Sequence, residues 1–162
     1  MNRTHLLTLA ATLLTTSTLL AAPASDNDKA WQAKVSQGGM YEVEASKLAT
    51  QKATAQDVKD LAVMEVHDHE LVGAELKRLS LAAGLPFPST LNPEFQQRLA
   101  KLKSNPAGPA FDAAYLEDMK QIHDKDEKLF AQESNDGSPA FKPFAAQTDR
   151  IVKRHIGALH AV

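Results

Sequence analysis

Residues 58–83 read VKDLAVMEVHDHELVGAELKRLSLAA, and this stretch decides the fold. Val58, Leu61, Ala62, Val72, Leu76 and Leu79 recur at steps of three and four, the period of a helix with one apolar face. Glu65 and His69 fall on that same face. A helix serving only to fill a core would carry Leu or Val there, because an unpartnered carboxylate taken out of water costs several kcal/mol. The stretch therefore predicts an amphipathic helix with a polar site inside its buried stripe.

Working outward, Thr54-Ala55-Gln56-Asp57 reads as a cap with an acid three residues on, and Gly84 as the C-terminal stop. Upstream, a first long helix is predicted from about Asp28 to Ala53, with Ser25, Asp26 and Asn27 offering caps. Trp31, Val35, Gly38, Ala45 and Ala49 form its inner stripe, and Glu42 sits on it. Gly38-Gly39 costs about 1 kcal/mol per residue in helix propensity, which close packing would explain.

Downstream, Leu85-Pro86-Phe87-Pro88 breaks regularity, Asn92-Pro93 starts a short helix to about Lys103, and residues 104–109 are a Pro/Gly loop. That segment reads as a crossover that lets two neighbouring helices of a bundle run parallel. A third long helix, about Ala110 to Glu133, places Phe111, Tyr115, Met119, Ile122, Leu129 and Phe130 on one face, with Asp126 near its centre and His123 at its edge. Asn135-Asp136-Gly137 ends it, and Ser138-Pro139 opens a last helix in which Phe141, Ala145, Thr148, Val152, Leu159 and His155 share a face. No stretch alternates with period two. The predicted fold is all-α: a four-helix bundle with a short extra helix in the crossover between the second and third long helices, one domain over residues 25–162.

Composition bounds the function. The 162 residues hold no Cys, which excludes disulfides, thiolate chemistry and a lipoprotein anchor. The formal charge of -2 comes from intermixed acids and bases, so a nucleic-acid partner is not expected. Residues 1–24 read as a secretory signal peptide: Arg3, an apolar run from Leu6 to Leu20, and Ala22-Pro23-Ala24 before a cut after Ala24. The run is shorter than the ~20 residues that span a bilayer, and no second one follows. A periplasmic or otherwise exported protein, monomeric or weakly dimeric and without a stable membrane span, is the expectation.

Once such helices pack, inward positions gather Glu42, Glu65, His69, His123 and His155, with Asp126 beside them. Carboxylates and imidazoles projecting inward from facing helices commonly hold a metal ion, and mixed Glu and His ligands suit Fe, Mn and Zn alike. The alternative is a Glu-His hydrogen-bonded network without metal, in a structural or interaction protein. The Glu-x-x-His pair of di-iron bundles is absent, since Glu65 and His69 are four apart. His67 and His160 read as solvated, and Tyr115 as a core residue with its hydroxyl on a site acid. There is no phosphate loop or nucleophile elbow, so a non-enzyme is the favoured reading.

The order of Gly38-Gly39-Met40-Tyr41-Glu42-Val43-Glu44-Ala45, Lys59-Asp60-Leu61-Ala62-Val63-Met64 leading to Asp68-His69, Phe111-Asp112-Ala113-Ala114-Tyr115 with His123, and Phe144-Ala145 with His155 resembles a bacterial envelope family, domain of unknown function 4142. The resemblance covers nearly all of the chain after the leader. It implies a ferritin-like helical bundle, exported to the periplasm or outer membrane, and no established activity. Glu42, His69, His123 and His155 match the family pattern, whereas the role of Glu65 rests on its place in the stripe.

Overall fold

The computed structural model describes residues 24–162; the expected leader up to residue 23 lies outside the described residues. Among the described residues the chain forms α1 (Asp26–Lys52), α2 (Gln56–Ala82), α3 (Pro93–Ser104), α4 (Pro109–Asp136) and α5 (Lys142–Ala161). The fold is all-α, with four long packed helices and the short α3 between α2 and α4, as the sequence predicts. No helix among the described residues is long and apolar enough to cross a membrane.

Local chemistry sets the helix ends. Ser25 closes a capping box on α1: its hydroxyl accepts from the Asp28 N–H at 3.1 Å, and Asp28 accepts from the Ser25 N–H at 2.6 Å. Helix α2 stops in a Schellman arrangement, with Gly84 at φ 74° and the Leu85 N–H on the Ser80 carbonyl at 2.8 Å.

Two starts differ from expectation. Thr54 does not cap α2 through its own side chain; Asp112 of α4 does so from across the bundle, accepting from the Ala55 N–H at 2.9 Å and from the Thr54 N–H and hydroxyl. Ser138-Pro139 does not open the last helix. The Ser138 N–H is taken up by Asp28 at 2.9 Å, the chain turns once more, and α5 begins at Lys142 with Pro143 in its first turn.

Cross-links fix the direction of packing. Asp28 meets Ser138 just past the end of α4, Ser46 meets Tyr115, and Thr54 at the far end of α1 meets Asp112, so α1 and α4 run antiparallel. Short connections make α1/α2 and α4/α5 antiparallel hairpins, and α2 also packs on α5. The crossover thus leaves α2 and α4 parallel, but on a diagonal of the bundle rather than as the neighbours expected. Helix α3 lies over α1 and α4 through buried Leu102, Phe95 packed at a tilt on Tyr41 with ring centres 5.1 Å apart, and Arg98 paired with Asp118 at 2.7 Å.

The core is in two apolar parts. Tyr41, Ala45, Leu61, Phe111, Tyr115 and Met119 belong to one, and Trp31, Val35, Leu76, Phe130, Phe141 and Val152 to the other. Each buried aromatic or large aliphatic side chain contributes about 1.5–3 kcal/mol. Glu42 of α1, Glu65 and His69 of α2, His123 and Asp126 of α4 and His155 of α5 form a buried polar layer across the middle of the bundle, while buried Asp28, Asp112 and Glu133 lie nearer its ends.

Candidate metal centre

Glu65 and His69 lie one turn apart on α2, and His123 of α4 and His155 of α5 reach the same point. Glu65, His123 and His155 are fully buried, and His69 is 4% exposed. Glu65 Oε2 sits 3.0 Å from His69 Nε2, 3.2 Å from His123 Nε2 and 3.0 Å from His155 Nδ1. The last two nitrogens are 3.2 Å apart, and one donor atom from each of the four residues lies within 4.8 Å of every other.

What stands behind the rings decides which nitrogen faces inward. A carbonyl can only accept, so the Met119 carbonyl, 2.9 Å from His123 Nδ1, puts the hydrogen there and leaves the Nε2 lone pair free. Asp68 Oδ2, 2.8 Å from His155 Nε2, does the same for His155 and leaves Nδ1 free. Asp68 is itself paired with Arg154. Glu42 faces the outer nitrogens of two rings, 3.3 Å from His69 Nδ1 and 3.4 Å from His123 Nδ1. This is the carboxylate- or carbonyl-backed histidine arrangement that orients imidazoles as metal ligands.

The donor set fits a small ion. Bonds of ~2.0–2.1 Å to a tetrahedral ion hold ligand atoms roughly 3.3 Å apart, near the 3.0–3.2 Å of four of the six donor pairs, with the two that join His69 to the other histidines within 4.8 Å. Both oxygens of Glu65 and His69 Nε2 are buried and lack a hydrogen-bond partner, an arrangement that costs stability unless something else satisfies them.

Without an ion the layer balances by protons. Burial would raise the Glu65 pKa, but His123, His155 and His69 outweigh it and hold the carboxyl well below its usual range. Burial likewise disfavours a charged His123, yet Glu42 and Glu65 push its pKa up to about 10. His69 is raised by the same two acids against its own burial. Burial and then Glu42 raise Asp126 well above the carboxylate range.

The structure thus gathers Glu65, His69, His123 and His155 around one point and sets Glu42 one layer out. His123, placed at the edge of its helix by the sequence pattern, is fully buried at the centre. The Tyr115 hydroxyl meets Ser46 Oγ at 2.9 Å instead of a site acid. His67 and His160 are exposed, as read from the sequence. Asp68 was not singled out as a site residue; it lies three positions after Glu65, on the side of α2 that meets α5, and that spacing was the available signal.

A four-helix bundle with a buried Glu/His cluster able to hold a metal is the class of protein these features define. Residues 14–162 match the family described as Domain of unknown function (DUF4142), and the chain belongs to that family. Its fold is similar to that in the crystal structure of a DUF305 fragment from Deinococcus radiodurans, with a TM-score of 0.75 and 14% identity over 86% of this chain and 97% of that one. No curated protein matches the chain.

Proposed function

We propose that the protein is an exported metal-binding bundle that holds one divalent transition-metal ion on Glu65, His69, His123 and His155. One observation carries the reading: three imidazoles present their inner nitrogens to one buried carboxylate oxygen, while a carbonyl or carboxylate stands behind each ring. Three nitrogens and one oxygen suit Zn or Fe better than Mn, which favours oxygen-rich sites. Four protein ligands fill a tetrahedral shell and leave no open position, which supports a holding or structural role over catalysis. Placement in the periplasm rests on residues 1–24 alone.

A metal-free network is the second reading, favoured by the raised His69 and His123 pKa values, which let two imidazoliums neutralise Glu42 and Glu65. Elemental analysis of untagged protein purified from the periplasm separates the two. About one ion per chain, lost in His155→Ala and Glu65→Gln, is expected of the metal site. Substoichiometric metal that ignores His69→Ala, with melting unaffected by chelator, would leave the network as the function of the layer.

A further inference from the structure

A cavity of about 270 Å³ opens between α1 and α2, beside Glu42, with the ring of His69 as part of its lining. Its walls are apolar, built from Val35, Val72, Leu76, Phe87 and Phe130. Glu42, Asp126 and Thr148 lie at its buried end, where Glu42 is 0% and Asp126 5% exposed. Both Glu42 oxygens lack a hydrogen-bond partner. At the mouth lie exposed Glu44, Glu70 and Lys77, with Glu70 paired to Lys47 at 2.8 Å.

The glycines of this region point the same way. A Cβ on Gly39 or Gly73 would meet nothing within 4 Å, and at Gly38 only ordinary contacts with Asp126 at 3.5 Å and beyond. Close packing therefore does not account for the Gly38-Gly39 pair. Gly39 and Gly73 instead line the cavity from opposite helices and keep it open.

We propose that this cavity binds a small organic amine, its ammonium head on Asp126 and Glu42 and its short apolar body along the helix walls. An ammonium supplies donors to the two Glu42 oxygens, which have none, and brings a positive charge beside the buried Asp126 carboxyl. Phe87 and Phe130 offer the apolar and aromatic surface that suits the rest of such a molecule. The volume lies just below the ~300–1,000 Å³ of most ligand pockets, which limits the occupant to fragment size. Inorganic cations fit less well, because the walls around the two carboxyl groups are mainly apolar.

The test is calorimetric titration of the full-length processed protein with 2-phenylethylamine and its neutral counterpart 2-phenylethanol, before and after chelation. The amine should bind and the alcohol at least about tenfold more weakly, the loss expected for one charge-assisted hydrogen bond. Asp126→Asn should weaken the amine comparably with the metal content unchanged. Gly73→Leu, whose side chain enters open space, should abolish binding without loss of helicity. Equal binding of amine and alcohol, or amine affinity unaltered in Gly73→Leu, overturns the proposal. Neither outcome depends on whether metal is bound, so failure here is distinct from failure of the metal reading.

Discussion

Asp68→Asn is a sharp probe of the proposed metal centre, because Asp68 lies outside the four candidate ligands and would act on them through His155. Its Oδ2 lies 2.8 Å from His155 Nε2, so that Nδ1 faces Glu65 Oε2 at 3.0 Å as a free lone pair. An asparagine that turns its NH2 to the ring makes Nε2 an acceptor, moves the hydrogen to Nδ1 and blocks the ligand position; one that turns its carbonyl keeps the tautomer but loses the charge. Loss of such a backing group costs about 10–100-fold in metal affinity, roughly 1.4–2.7 kcal/mol. At free metal 100 times the native Kd, the ion stabilises the fold by about 2.7 kcal/mol, and the variant should lose about 1.3–2.3 kcal/mol of that. For a chain of this size that is a metal-induced rise in Tm smaller by about 3–9 °C. In the metal-free protein the substitution also weakens the contacts of Asp68 with exposed Arg154 and buried His155, so the metal effect is read against the metal-free melt of the variant itself. Competition against a chromophoric chelator and paired melts with and without metal measure both quantities. An affinity within about twofold of native, in a background where His155→Ala does lose metal, would refute the tautomer argument.

Asp112→Ala removes the cap that α4 lends to α2 and should destabilise the protein by about 1–3 kcal/mol in denaturant titration. That contribution should fade in acid: burial would raise the Asp112 pKa, but the Ala55 and Thr54 donors outweigh it and hold it low, so the stability is present above the ordinary value of 3.8 and lost as pH falls through the folded one. Glu133 shows the opposite sign, because burial and then Asp28 push its pKa up to about 7 from an ordinary 4.5. Stability should fall as pH rises across that window, and Glu133→Gln should flatten the fall in thermal melts.

The fold and the gathering of the buried Glu/His cluster were largely legible because both depend on helical periodicity. Glu65 and His69 interrupt an apolar stripe, and a bundle brings such interruptions to one level. Periodicity misplaced His123, which follows Ile122 on the margin of the α4 stripe; α4 packs against both α1 and α5, so its buried arc is wider than one stripe. The cap from Asp112 and the turn at Ser138 were invisible to local rules, since their partners lie 57 and 110 residues away. Glu42 was legible as buried, but its distance from the ligand point depends on how far apart α1 and α5 sit across the diagonal, which no spacing within one helix reports.

The two readings of the polar layer meet in a count of protons. With His69 and His123 charged, two imidazoliums offset Glu42 and Glu65; a divalent ion on neutral rings offsets the same two carboxylates. Metal therefore replaces protons one charge at a time, and binding should release the His123 proton at neutral pH and up to one more from His69. In the metal-free protein, stability from these histidines is full below their ordinary pKa of 6.5 and is lost as pH rises through the raised folded values, about 10 for His123. In the loaded protein the slope reverses, with affinity gaining up to about 100-fold per pH unit while both rings titrate. Calorimetry of Zn²⁺ binding in buffers of different ionisation enthalpy reads the proton count directly. A count near zero at pH 7 would mean that the rings are neutral before the ion arrives, and the charge balance drawn here would be wrong.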